Sequence, residues 1–141
     1  MIVGAALLGS LMAVSHADVT GDGLKGHWIN PPRSVIVEIS ACGDERLCGH
    51  VRWASEKASA DARAEGTDPL TGVELLHDFA PSGAGRWKGQ LFVPDLRKRT
   101  SAELRIVDGQ QIKIIGCAAG GLLCKSQIWK RIDPYAPPPA D

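Results

Sequence analysis

Four cysteines fall into two close pairs, Cys42 with Cys48 and Cys117 with Cys124. Cysteines so placed either hold a metal as thiolates or join as disulfides. Zinc knuckles separate paired ligands by about two to four residues, and both gaps here are longer. The pairs are therefore expected to be disulfides, which form in an oxidising compartment. Each pair also lies inside a stretch that reads as a β-hairpin, so each bridge would staple two strands together. In the chain-entropy model a loop of this size contributes roughly 2–2.5 kcal/mol.

Other residues with chemical potential are sparse. His27, His50 and His77 are not spaced as metal ligands on one element, and no metal is expected. Glu38 is the carboxylate inside an otherwise apolar strand. It could serve as a general base, with His50 as the least implausible companion, but a cross-strand pair with Arg52 is favoured. No Gly-x-Ser-x-Gly elbow is present, and no glycine-rich turn leads from strand to helix in phosphate-binding form. Gly120 and Gly121 belong to turn chemistry within the second cysteine loop. The basic run Arg97-Lys98-Arg99 could touch an anionic lipid or polymer, although a solvated turn is favoured. Neither an enzyme nor a cofactor-dependent protein is expected. Trp28, Trp53, Trp87 and Trp129 are many for so short a chain, and their alternation points to one interior.

The charges balance at 16 basic and 16 acidic side chains, which argues against a nucleic-acid partner. An apolar run over 2–14 has the length of a secretory h-region and is too short to span a bilayer. Ser15-His16-Ala17 follows with small residues where a signal peptidase reads, although no Lys or Arg precedes the run. Cleavage after Ala17 is expected, giving a signal peptide over 1–17 and a periplasmic or secreted product. No transmembrane segment is expected.

The elements that must position these residues are strands. Short apolar-alternating runs bounded by Gly, Pro, Asp or Asn cover 26–29, 34–40, 49–53, 73–79, 87–93, 101–106, 111–116 and 125–132. One helix is predicted over 55–65, with Ser55 as its N-cap. It has almost no large apolar residue, so it should lie on the surface or over an opening. The tail over 134–141 is too proline-rich to pair and should be extended. One domain is expected over 18–133.

Hairpin registers follow from the cysteines. Setting Cys42 opposite Cys48 puts Glu38 opposite Arg52 and makes an apolar face of Val35, Val37, Ile39, Val51 and Trp53. Setting Cys117 opposite Cys124 puts Ile112 against Trp129 and Ile114 against Gln127. A three-residue turn over 107–109, with Gly109 left-handed, would place Leu104 and Ile106 on that same face. About eight antiparallel strands suggest a closed barrel or a sandwich, since closure removes exposed edges.

Gly26-His27-Trp28 on the first strand and Trp129-Lys130-Arg131 on the last resemble the calycin group, lipocalins and their relatives. There a first-strand Gly-x-Trp packs beneath the barrel and a last-strand Arg lies across the indole. Gly26, Trp28 and Arg131 would then close the barrel by a cation–π contact. The wider pattern adds Val37-Glu38-Ile39, Cys42-Gly43, Leu47-Cys48-Gly49, Gly116-Cys117 and Leu123-Cys124. It resembles an uncharacterised family of exported bacterial proteins, domain of unknown function 2147, from about 26 to 131. The resemblance implies a lipocalin-like, up-and-down barrel and a cavity more than a reaction. The chain departs from that pattern in the loop after the Trp53 strand, which is the Ala-rich stretch over 55–66 with only the following Asp68-Pro69 recognisable, and after Pro94-Asp95.

The expected function is that of an exported small barrel that binds an apolar or amphipathic small molecule. Trp53, Gln127, Trp129 and Trp87 are the expected ligand contacts, and the disulfides would hold the mouth rigid. The alternative is an envelope-associated protein-interaction module with a packed interior.

Overall fold

A computed structural model describes residues 21–134, together with the isolated Gly4 and Gly9. The expected signal peptide over 1–17 and the expected tail beyond Pro134 otherwise lie outside the described residues. Eight strands follow one another: β1 (Gly26–Ile29), β2 (Val35–Gly43), β3 (Arg46–Ala54), β4 (Glu74–Gly83), β5 (Arg86–Val93), β6 (Lys98–Asp108), β7 (Gln111–Ala118) and β8 (Leu123–Arg131). Each pairs antiparallel with the next, and β8 returns to β1, closing an eight-stranded barrel. No helix among the described residues is long and apolar enough to cross a membrane.

The helix α1 (Glu56–Ala64) starts where the sequence signals it. The Ser55 hydroxyl accepts the Ala58 N–H at 3.1 Å, satisfying a donor that the first turn leaves free. Because strand direction alternates, α1 shares one end of the barrel with the β1–β2 turn, the β5–β6 link and the β7–β8 link. The opposite end holds the tight β2–β3, β4–β5 and β6–β7 turns and the segment before β1.

That opposite end is filled. Leu24, Trp28, Leu47, Phe79, Trp87 and Leu104 are fully buried or nearly so. Arg131 lies over the Trp28 ring, 4.3 Å from its centroid, and donates to the carbonyls of Lys25 at 2.9 Å, Gly23 at 3.0 Å and Gly109 at 2.9 Å. Trp28 donates its indole N–H to the Leu24 carbonyl at 2.8 Å. Gly26 is what permits this closure. It has φ +129°, and a Cβ there would stand 2.5 Å from Arg131 Nη1.

Two registers differ from expectation by two residues. In the first hairpin Ser40 faces Cys48 and Glu38 faces His50. The chain turns tightly with Gly43 opposite Arg46, leaving Cys42 as a bulge residue that reaches Cys48 diagonally. Glu38 and Arg52 still meet, with Arg52 Nη2 donating to Glu38 Oε1 at 2.9 Å, as a diagonal pair. A second bulge, between Ile36 and Val37, pairs Trp53 with Ile36. It takes Trp53 off the inner face of Val37, Ile39 and Val51.

The β6–β7 turn is shorter than the predicted three-residue loop. Asp108 faces Gln111, and Asp108 Oδ1 accepts the Gln110 N–H at 2.8 Å, a side-chain turn that leaves Gly109 without a positive φ. Leu104 and Ile106 nevertheless share the face of Ile114 and Ile112. The β7–β8 register is as predicted, with Cys117 opposite Cys124 and Ile114 opposite Gln127. The disulfides lie at opposite ends of the barrel. Cys117–Cys124 borders the α1 end, while Cys42–Cys48 staples the filled end and not the mouth.

Candidate functional site

The α1 end is hollow. A cavity of about 1050 Å³ opens there. Its apolar wall comes from Leu70, Leu75, Leu91, Phe92, Ile114 and Trp129, contributed by β4, β5, β7, β8 and the link after α1. They stand above the level at which Trp28, Trp87 and Phe79 fill the barrel. The wall loses bulk at Gly116, whose position would put a Cβ 3.5 Å from Leu91 and Thr100.

The polar groups of the lining gather at its rim and under α1, several of them placed by hydrogen bonds. Gln127 Oε1 accepts the Trp129 indole N–H at 2.9 Å. The Gln127 amide nitrogen has no partner among the described residues and is free to meet a ligand. Asn30 organises the β1–β2 turn, accepting the N–H groups of Ser34 and Val35 at 2.9 and 3.0 Å and donating to the Ser34 hydroxyl at 3.0 Å. The turn presents Arg33, at φ 57°, to the cavity rim.

Over the cavity, α1 supplies Glu56, Lys57, Ala58 and Asp61 to the lining. Lys57 holds Asp61 at 2.7 Å, and this hydrogen bond raises the lysine's pKa. Arg97 donates to the Glu65 carbonyl, fastening the end of the helix to the β5–β6 link. Arg97 thus has a specific partner within the basic run, whereas Lys98 and Arg99 are exposed.

Of the expected ligand contacts, Gln127 and Trp129 line the cavity. Trp53 and Trp87 do not. The bulge before Val37 removes Trp53, and Trp87 is packed at the filled end, where its ring meets Gly21. Glu38 and His50 also lie outside the lining. The carboxyl of Glu38 is engaged by Arg52 and by His27 Nε2 at 3.1 Å, while His50 Nε2 stands 3.8 Å from Glu74. The hydrogen bond from Arg52 holds the Glu38 pKa below its ordinary value. Among the described residues, one group has metal-ligand proximity, Cys42, Cys48 and Asp78. Its two sulfurs are already bonded to each other, so it offers no thiolate.

Sequence reading missed Asn30, Arg33, Leu75, Leu91 and Thr100. Leu91 and Thr100 face each other across β5 and β6, and the alternation of those strands carried that signal. The turn residues carried none, because their role depends on where β1 stops.

An eight-stranded antiparallel barrel, sealed at one end by a tryptophan and an arginine and hollow at the other, is a lipocalin-like fold. The chain belongs to the family described as an uncharacterized protein conserved in bacteria, domain of unknown function 2147, matching it over residues 26–131. Among solved structures it is similar to protein HP1028 from the human pathogen Helicobacter pylori, described as belonging to the lipocalin family. The two share 15% sequence identity with a TM-score of 0.61, over 79% of this chain and 84% of that one. That likeness concerns the fold. No curated protein is significantly similar in sequence.

Proposed function

We propose that this protein is an exported binding protein for an apolar or amphipathic small molecule. The observation that carries the reading is the cavity of about 1050 Å³, of a size that suits small ligands, with an apolar wall and a few polar groups. Leu75, Leu91, Ile114 and Trp129 would bury the ligand, and the Gln127 amide would fix its orientation. Trp53 and Trp87 are not part of this site. Binding rather than catalysis is the reading, because Glu38 and His50 stand outside the cavity. Export with cleavage after Ala17 is part of it, and two disulfides fit an oxidising compartment.

The test is a titration with N-phenylnaphthylamine, a neutral dye that brightens out of water. The mature protein should bind it saturably. Ile114→Trp, which intrudes on the apolar wall, should weaken binding by about tenfold or more, while Trp53→Ala should leave it unchanged. Absence of saturable brightening with the folded wild type sinks the reading. The interaction-module alternative draws on Leu122 and Leu123, 86% and 69% exposed beside the second disulfide. A cavity of this size weighs against the packed interior which that alternative assumed.

A further inference from the structure

The barrel wall is incomplete along one seam, and the seam reaches the cavity. β1 pairs with β8 through two residue pairs, Trp28 with Arg131 and Ile29 with Lys130. Above them, residues 123–128 of β8 pair with β7 alone. The neighbouring bank is the β1–β2 turn. Both banks line the cavity: Asn30, Pro32 and Arg33 on one side, Leu123, Lys125 and Gln127 on the other. The inward side chains of β8 therefore change from buried at Trp129 to exposed at Gln127 and Lys125.

Each bank carries one cation. Arg33 and Lys125 are both exposed, and neither has an ion pair or side-chain hydrogen bond among the described residues. The acidic residues of the lining, Glu56, Asp61 and Asp95, belong to α1 and the β5–β6 link, with Lys57 among them. The lining thus holds three basic and three acidic side chains, and the two cations of the seam are the basic ones without an ion-pair partner among the described residues.

We infer that the ligand is a single-chain amphiphile with an anionic head. Its chain would lie against Ile114, Leu75 and Trp129, and its head would sit in the seam between Arg33 and Lys125. This deepens the binding reading and rests on it. The physical basis is that an anion held between two cations at the rim gains charge-assisted hydrogen bonds, while its chain leaves water.

The experiment compares three probes of equal chain length, kept below micelle formation: tetradecanoic acid, tetradecanol and tetradecylamine. Each displaces N-phenylnaphthylamine from the folded mature protein. The acid should bind about tenfold more tightly than the alcohol at low salt, with the amine weakest, and the gap should shrink as salt rises. Arg33→Ala with Lys125→Ala should erase the preference of the acid over the alcohol. Lys125→Glu, an exposed change that the fold should tolerate, should move the preference toward the amine. Equal affinity for acid and alcohol, or a preference unmoved by these variants, overturns the inference but leaves the cavity reading intact. If none of the three probes displaces the dye and the dye itself does not bind, the cavity reading fails first.

Discussion

The two ends of this barrel are built from the same kind of strands and do opposite things with them. At the filled end, inward positions carry Trp28, Trp87, Phe79 and Leu47, all within 1% of full burial. The remaining hole is plugged by Arg131, whose guanidinium is spent on three carbonyls and one indole face. At the α1 end the wall residues border open space, one of them, Gly116, without a side chain, and a helix with one buried residue, Ala62, crosses over the gap. Stability is concentrated where large aromatics interlock, which leaves the other half free to be hollow. The gradient runs along each strand: on β8, Arg131 belongs to the sealed half, Trp129 lines the cavity, and Gln127 and Lys125 face an open seam.

The largest effect should come from breaking the filled end. Trp28→Ala removes a fully buried indole and leaves Arg131 without its ring, so a loss of about 3–5 kcal/mol is expected. Leu75→Ala at the α1 end also truncates a buried residue. Its side chain borders space that is already open, so the cost should sit near the low end for such changes, about 2 kcal/mol. Chemical denaturation of both variants measures the contrast. Equal losses would mean that the two halves unfold with the same packing density and that the hollow is closed in solution.

The disulfides give the next comparison, since they lie one at each end. In the chain-entropy model each contributes roughly 2–2.5 kcal/mol, so Cys42→Ser with Cys48→Ser and Cys117→Ser with Cys124→Ser should cost similar amounts of stability. Dye affinity should separate them. The first pair borders the filled end and should leave binding intact. The second staples the hairpin whose strands carry Ile114 and Gln127, so its loss should weaken binding by a few-fold. Equal effects on binding would contradict the division of labour between the ends.

Much of this architecture was legible in the residues. Strand positions, the Ser55 cap, the Trp28–Arg131 seal and the second hairpin register follow from alternation, capping chemistry and the calycin resemblance. Both register errors were even, two residues each, and an even slip keeps every regular strand position on its own face. That is why the inward set Val37, Ile39, Val51, Leu104 and Ile106 survived. Trp53 was misplaced because a bulge is an odd insertion, and nothing local in the Val51-Arg52-Trp53 sequence marks it. Trp87 was assigned to the interior correctly and to the cavity wrongly. Alternation tells which face a residue takes but not how far along the barrel axis it stands, and depth separates the packed half from the hollow one. Arg33 and Lys125 were illegible for a related reason. Their meaning depends on β1 ending two pairs after it meets β8, a fact of length rather than pattern.

The smallest effect should appear on the outer wall, which both ends share. Glu38 accepts from Arg52 at 2.9 Å and has His27 at 3.1 Å, and these partners hold its folded pKa below the ordinary value of 4.5. The unfolded chain therefore takes up a proton at this position more readily than the folded one. The resulting stabilisation is present above about pH 4.5 and is lost as pH falls through the folded pKa. Glu38 and Arg52 are both partly exposed, so the pair should contribute less than about 1 kcal/mol. Glu38→Gln should lower stability slightly at neutral pH and make its decline between pH 5 and pH 3 shallower than in the wild type. Urea midpoints across that range read this directly. Dye affinity at neutral pH should not move, because Glu38 lies outside the cavity lining. A decline as steep as the wild type's would show that the carboxyl is equally held in both states. A change in dye affinity would show that the outer wall of β2 reaches the hollow half after all.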